Sequence, residues 1–212
     1  MRRGDYATML AERTRFGFKL FAGYVYPDDP RAGGMATIPV RANDRYTNAL
    51  SGTQLARRNQ VYDACFAQAV HEVTGRRVKS LEDLFQQHTD QTRAEARRTV
   101  DTDPQVIRLA EDYARCLRGE GYLVSSAAPA EVGSGASHVY LDQLEALGSR
   151  QNSGREGLLP ELTPQQAQPY LNREIVAALQ DLECGREFHP VYRARTSAIA
   201  DRVAAEWGLD SW

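Results

Sequence analysis

The stretch Asp103-Pro-Gln-Val-Ile-Arg-Leu-Ala-Glu-Asp-Tyr-Ala-Arg-Cys-Leu-Arg-Gly-Glu-Gly-Tyr122 decides the fold class. Asp103 is an N-cap residue and Pro104 suits the first helical position, where its missing N–H costs nothing. Val106, Ile107, Ala110, Tyr113, Ala114 and Leu117 then recur at helical spacing, and Gly119 and Gly121 stop the run. An earlier stretch, Glu12-Arg-Thr-Arg-Phe-Gly-Phe18, ends in the same way, at a glycine followed by an aromatic. Cys116 opens the second ending, and Glu12 holds the matching place in the first.

Further helices follow from the same rules. Tyr6, Met9, Leu10 and Arg13 place one at about 5–16. Leu55, Tyr62, Cys65, Phe66, Ala69 and Val73 form a single apolar stripe over about 53–74, stopped by Gly75. Ser80 and Asp83 open a helix to about 99 whose second half, QQHTDQTRAEARR, reads as exposed. A short helix is expected at about 137–147. Thr163-Pro164-Gln165-Gln166 combines cap, proline and capping-box glutamine, and its helix runs to Cys184. Gly185 and Pro190 interrupt before a last helix at about 190–207. The expectation is one mainly α domain over 1–212, an irregular bundle of six or seven helices. Residues 18–50 form an aromatic, turn-rich insert with a possible short hairpin at Met35–Val40. Residues 123–136 have the composition of a flexible linker.

Composition narrows the function classes. Hydrophobic residues make up 42% and charged residues 25%, which is ordinary for a globular protein. A net charge of −2 offers no field for nucleic acid. Lys19 and Lys79 are the only lysines, an Arg bias typical of a GC-rich genome. No run approaches the ~20 apolar residues of a membrane span. No metal or cofactor motif emerges. Gly75 excludes an HExxH site after His71-Glu72, and Glu183, Cys184, Glu187 and His189 match no standard zinc spacing. His88 and His138 read as exposed. Cys65 as a nucleophile would need a base, and His71 lies nearly opposite on the helix.

The insert is the better candidate for binding. Phe18, Phe21, Tyr24, Tyr26 and Tyr46 concentrate there with Arg41 and Arg45, a mixture that suits a small molecule, a peptide or an envelope component, and equally suits a strap over a helical core.

The cysteine contexts carry a resemblance. Tyr46-Thr-Asn-Ala-Leu-Ser-Gly52, Tyr62-Asp-Ala-Cys65 with Ala69, the Tyr113–Tyr122 motif and Ile175-Val-Ala-Ala-Leu-Gln-Asp-Leu-Glu-Cys184 resemble an uncharacterised group of actinobacterial, Streptomyces-like secreted proteins and lipoproteins with paired Cys-x-x-x-x-Gly-aromatic motifs. The resemblance implies an extracytoplasmic setting if a leader was removed before Met1, and otherwise a cytoplasmic one; it implies no activity. This chain departs from the pattern: Glu12 replaces the first cysteine, and no lipobox cysteine is present. If each repeat half closes its own bridge, Cys116 pairs with Cys184 and Cys65 is a free thiol that should lie near Glu12. Pairings of Cys65 with Cys116 or Cys184, or three reduced thiols, remain open. The reading is a non-enzymatic extracytoplasmic or envelope-associated binding protein; the alternative is a cytosolic enzyme or accessory protein of a specialised-metabolite pathway, with a pocket lined by 18–46.

Overall fold

A computed structural model describes residues 5–33, 46–47, 49–151 and 159–209. It is all-α, with 74% of it helical and no strand among the described residues, as the periodicity requires. The expected hairpin at Met35–Val40 lies outside the described residues. The nine helices among them are α1 (Tyr6–Phe16), α2 (Ala22–Val25), α3 (Gly52–Thr74), α4 (Leu81–Val100), α5 (Pro104–Gly119), α6 (Pro129–Val132), α7 (Ser137–Gln151), α8 (Pro164–Cys184) and α9 (Phe188–Trp207).

The caps read from sequence fall where they were expected. Asp103 accepts from the N–H groups of Gln105 and Val106. Thr163 and Gln166 form a reciprocal capping box. The structure adds a second, Ser51 with Gln54 at the start of α3, which the sequence reading did not single out. At α4 the arrangement shifts by one residue. Ser80 accepts from Asp83 N–H, but the Asp83 carboxylate accepts from Lys79 N–H at 2.7 Å. Pro190 does not interrupt α9. It sits in the first turn, where a missing N–H breaks no intrahelical bond.

The chain gathers into two units, Met1–Ile38 with Thr99–Arg195 and Pro39–Arg98 with Thr196–Trp212. In the first, α8 is the central element. Helices α1, α2, α5 and α7 all pack on it, and α6 packs on α5. One apolar cluster joins Val106, Ala110, Tyr113, Ala114 and Leu117 of α5 to Val132 and Phe188. A second joins Phe16, Phe21, Ala22 and Ala32 to Leu144 and Leu171. Residues 123–136 pack against the first cluster: Val132 and Ala136 are buried, and the Ala130 N–H donates to Asp101 at 2.8 Å. Their small residues allow close approach to α5, where composition alone suggests mobility.

In the second unit, α3, α4 and the end of α9 share a core of Val78, Leu84, Ile199, Val203 and Trp207. The polar second half of α4 contributes to it. The Trp207 indole donates to Gln91 at 2.8 Å, and Glu95 pairs with Arg202. His88, expected exposed, is half-buried with its ring edge-on to Trp207; its Nε2 is sealed from solvent and has no hydrogen-bond partner among the described residues.

Candidate functional site

The aromatic insert divides by depth. Phe21 is 0% exposed and stacks on Tyr170 at 5.0 Å, so it is a core residue. Phe18 packs against Tyr140, with the Arg13 guanidinium over its ring. Tyr26 meets Phe16 edge-on at 5.9 Å, and Arg15 covers both rings. Tyr24 is half-buried, which pushes its hydroxyl above its ordinary value. It lines an open hollow of about 860 Å³ with Lys19, Leu20, Leu141, Leu144 and Leu162. Tyr46 is exposed, and Arg41 and Arg45 lie outside the described residues.

What fixes the insert is a carboxylate that the periodicity argument did not single out. Glu174 of α8 is 0% exposed, and its two oxygens accept from Leu20 N–H at 2.9 Å and Phe21 N–H at 3.0 Å. The Lys19 N–H donates to the Phe16 carbonyl at 2.9 Å, and the Phe18 and Lys19 amides add their dipoles to the field at the carboxylate. The left-handed backbone at Gly17 (φ 58) and Lys19 (φ 72) curls these amides around the carboxylate, an anion nest made from a helix end. Burial raises the Glu174 pKa, and the four amides oppose that rise. Its hydrogen-bonding capacity is taken up by backbone, so it acts as a clamp rather than as a base facing a pocket.

Two turns along the same face, Asp181 is 1% exposed. It accepts from the Arg13 guanidinium, the Tyr113 hydroxyl, the Ala136 N–H at 3.0 Å and the His189 ring at 3.2 Å. Burial alone would push its pKa up, but His189, Arg13 and Tyr113 together hold it below the ordinary carboxylate range. Tyr113 is pushed the other way, first by burial and then by the Asp181 charge, and so remains a donor. Gly135 lies against this cluster with φ 58; any side chain there would strike Asp181 and Tyr113. His138, expected exposed, is half-buried with its Nδ1 2.9 Å from the Gly135 carbonyl. The sequence did carry a signal for both carboxylates. Leu171, Glu174, Ala178 and Asp181 share one helical stripe, so the acids stand where apolar residues belong.

Cys116 and Cys184 form a disulfide, with Cα atoms 5.4 Å apart, tying the end of α5 to the end of α8. The potential metal set around Cys184 is therefore dispersed. Glu183 pairs with Arg186 at 2.7 Å, and His189 serves Asp181. Glu12 pairs with Lys19 at 3.2 Å. Cys65 is a free, exposed thiol on α3.

In the second unit, the apolar stripe read on α3 is largely a surface. Although α3 carries a long apolar stripe, none of its residues is buried. Phe66, Ala67 and Val70 lean on the unit's core, while Val73 is 84% exposed and Tyr62 is 52% exposed. Beside them Phe66, Val70, Val73, Leu81, Phe85 and Trp207 line an almost wholly apolar groove of about 540 Å³. Hydropathy period identifies a helix with an apolar face; it cannot say whether that face meets its own chain or something else.

Comparison with protein-family models, with curated proteins and with solved structures finds no match for the chain.

Proposed function

We propose that this protein is a non-enzymatic, extracytoplasmic binding protein whose contact surface is the apolar groove between α3 and α4. The groove itself carries the reading. A solvent-facing surface containing Val73, Leu81 and Phe85 is a cost to a monomer and a resource for an interface. The Cys116–Cys184 bridge supports the compartment, because structural disulfides persist where thiols are not kept reduced. The resemblance to secreted actinobacterial proteins points the same way.

Two measurements test this. Protein taken from its producing cell and unfolded without reductant should titrate one thiol, Cys65; three thiols would remove the argument for an oxidising compartment. An apolar fluorescent dye should bind the folded protein, and Val73→Glu with Phe85→Glu should abolish that binding while leaving the helical circular dichroism unchanged. Dye binding unaffected by these changes would overturn the groove as the contact surface.

The hollow beside Tyr24 favours a second reading, a small-molecule accessory protein whose pocket lies under the insert. It predicts that Tyr24→Ala, and not Val73→Glu, removes ligand-dependent thermal stabilisation.

A further inference from the structure

Resting on that binding reading, we propose that the partner of the α3 surface is a second copy of this chain, with two α3 helices packed antiparallel about a two-fold axis near Cys65. The argument starts from spacing. Arg58, Tyr62, Cys65, Ala69 and Glu72 follow one another at intervals of four, three, four and three residues, one straight seam on a helix. Each is exposed, and Val73 borders the seam. The seam lies to one side of Phe66, Ala67 and Val70, which the unit uses for its own core. With 23 residues, α3 is roughly 35 Å long, enough to run against a neighbour over several turns.

The ends of the seam select the partner. Arg58 and Glu72 carry opposite charges, and each lies seven residues, two turns, from Cys65. Among the described residues, Arg58 bonds only the Asn59 amide and Glu72 only the Gln68 amide, and neither has an ion-pair partner. In an antiparallel pair, Arg58 of each copy meets Glu72 of the other, so two ion pairs form at once. A parallel pair would set like on like. A surface that is its own complement under a two-fold rotation is what an isologous dimer requires. Tyr62 supplies the large aromatic that such interfaces concentrate at their centre, and Leu81 and Phe85 extend the apolar area beyond Val73.

The test uses the full chain with its disulfide intact. Sedimentation equilibrium over a protein concentration series should show a reversible monomer–dimer equilibrium. A short bis-maleimide should link Cys65 to Cys65 of the second copy, and Cys65→Ser should abolish the product. Arg58→Glu alone and Glu72→Arg alone should each weaken dimerisation about tenfold or more, whereas the double exchange restores it. All these positions are exposed, so folding is preserved and is checked by circular dichroism. A monomer at every concentration, or a double exchange that fails to restore dimerisation, overturns the proposal. A monomer whose groove still binds the apolar dye in a Val73-dependent way overturns self-pairing alone and leaves the binding reading standing.

Discussion

The ends of α1 and α5 look alike in sequence and are held to the same helix by different chemistry. At the end of α5, Cys116 is bonded covalently to Cys184, and the Tyr122 hydroxyl donates to Gln180 of α8 at 2.8 Å. At the end of α1, where Glu12 stands in the cysteine's place, the chain beyond Gly17 wraps its amides around Glu174 of α8. Both helices also send a side chain to one acid, Arg13 from α1 and Tyr113 from α5 to Asp181. One attachment restrains the unfolded chain and is indifferent to pH. The other depends on a buried charge and on backbone that must enter left-handed conformations. A glycine-aromatic ending therefore marks where a helix turns back toward α8, without specifying what fastens it there.

Because Asp181 belongs to both ends, its loss should be the largest single effect. Asp181→Ala strands the buried Arg13 guanidinium and should cost about 3–5 kcal/mol. Urea titration followed by circular dichroism measures it. Comparable loss from mutating an exposed acid such as Glu145 would show the cluster to be unimportant. Replacing Cys116 and Cys184 by serine should cost up to ~4 kcal/mol by loop-closure reasoning for a separation of 68 residues. In hydrogen exchange this variant should loosen the end of α5 before the end of α1; equal loosening would erase the distinction between the two attachments. Gly17→Ala acts on the other end. It forces a side chain into a left-handed position 2.9 Å from the Glu174 side chain and should cost about 1–3 kcal/mol, with amide exchange rising at residues 18–21 and not at 119–122.

The smallest effect is in pH. The folded Asp181 pKa lies below its ordinary 3.8, so its stabilisation is complete above that value and is lost as pH falls through the folded value. The folded Glu174 pKa lies above its ordinary 4.5, so the folded state gains from protons there, and stability declines as pH rises from that value through the folded one. Glu174→Gln should flatten the second limb and leave the first, and Asp181→Asn should do the reverse. Urea midpoints measured between about pH 2 and pH 8 separate them. An unchanged profile in Glu174→Gln would show that its carboxylate is not perturbed by burial.

Local rules made much of this fold legible. Asp103 with Pro104, Thr163 with Gln166 and the stop at Gly75 depend on residues within a turn of one another, and the structure places each at a helix end. Two long-range facts were not legible. The period of α3 describes an apolar face but not its neighbour, so it does not show that Val73 and Tyr62 face solvent. Glu174 and Asp181 break an apolar stripe, which hints at burial, but their partners Leu20, Phe21, Arg13 and Tyr113 are 68 to 168 residues away, so the stripe alone could not name them. The aromatic insert was recognised as a unit, but the division between buried Phe21 and the hollow-lining Tyr24 depends on where α8 runs.

The disulfide has a consequence for what a protease can do to the chain. It closes residues 116–184 into a covalent ring that contains α6, α7 and α8. A protease that cuts once anywhere within that ring produces no separate fragment; the two pieces remain one molecule until the bridge is reduced. Nicked protein should therefore migrate at full mass without reductant and fall into two bands with it.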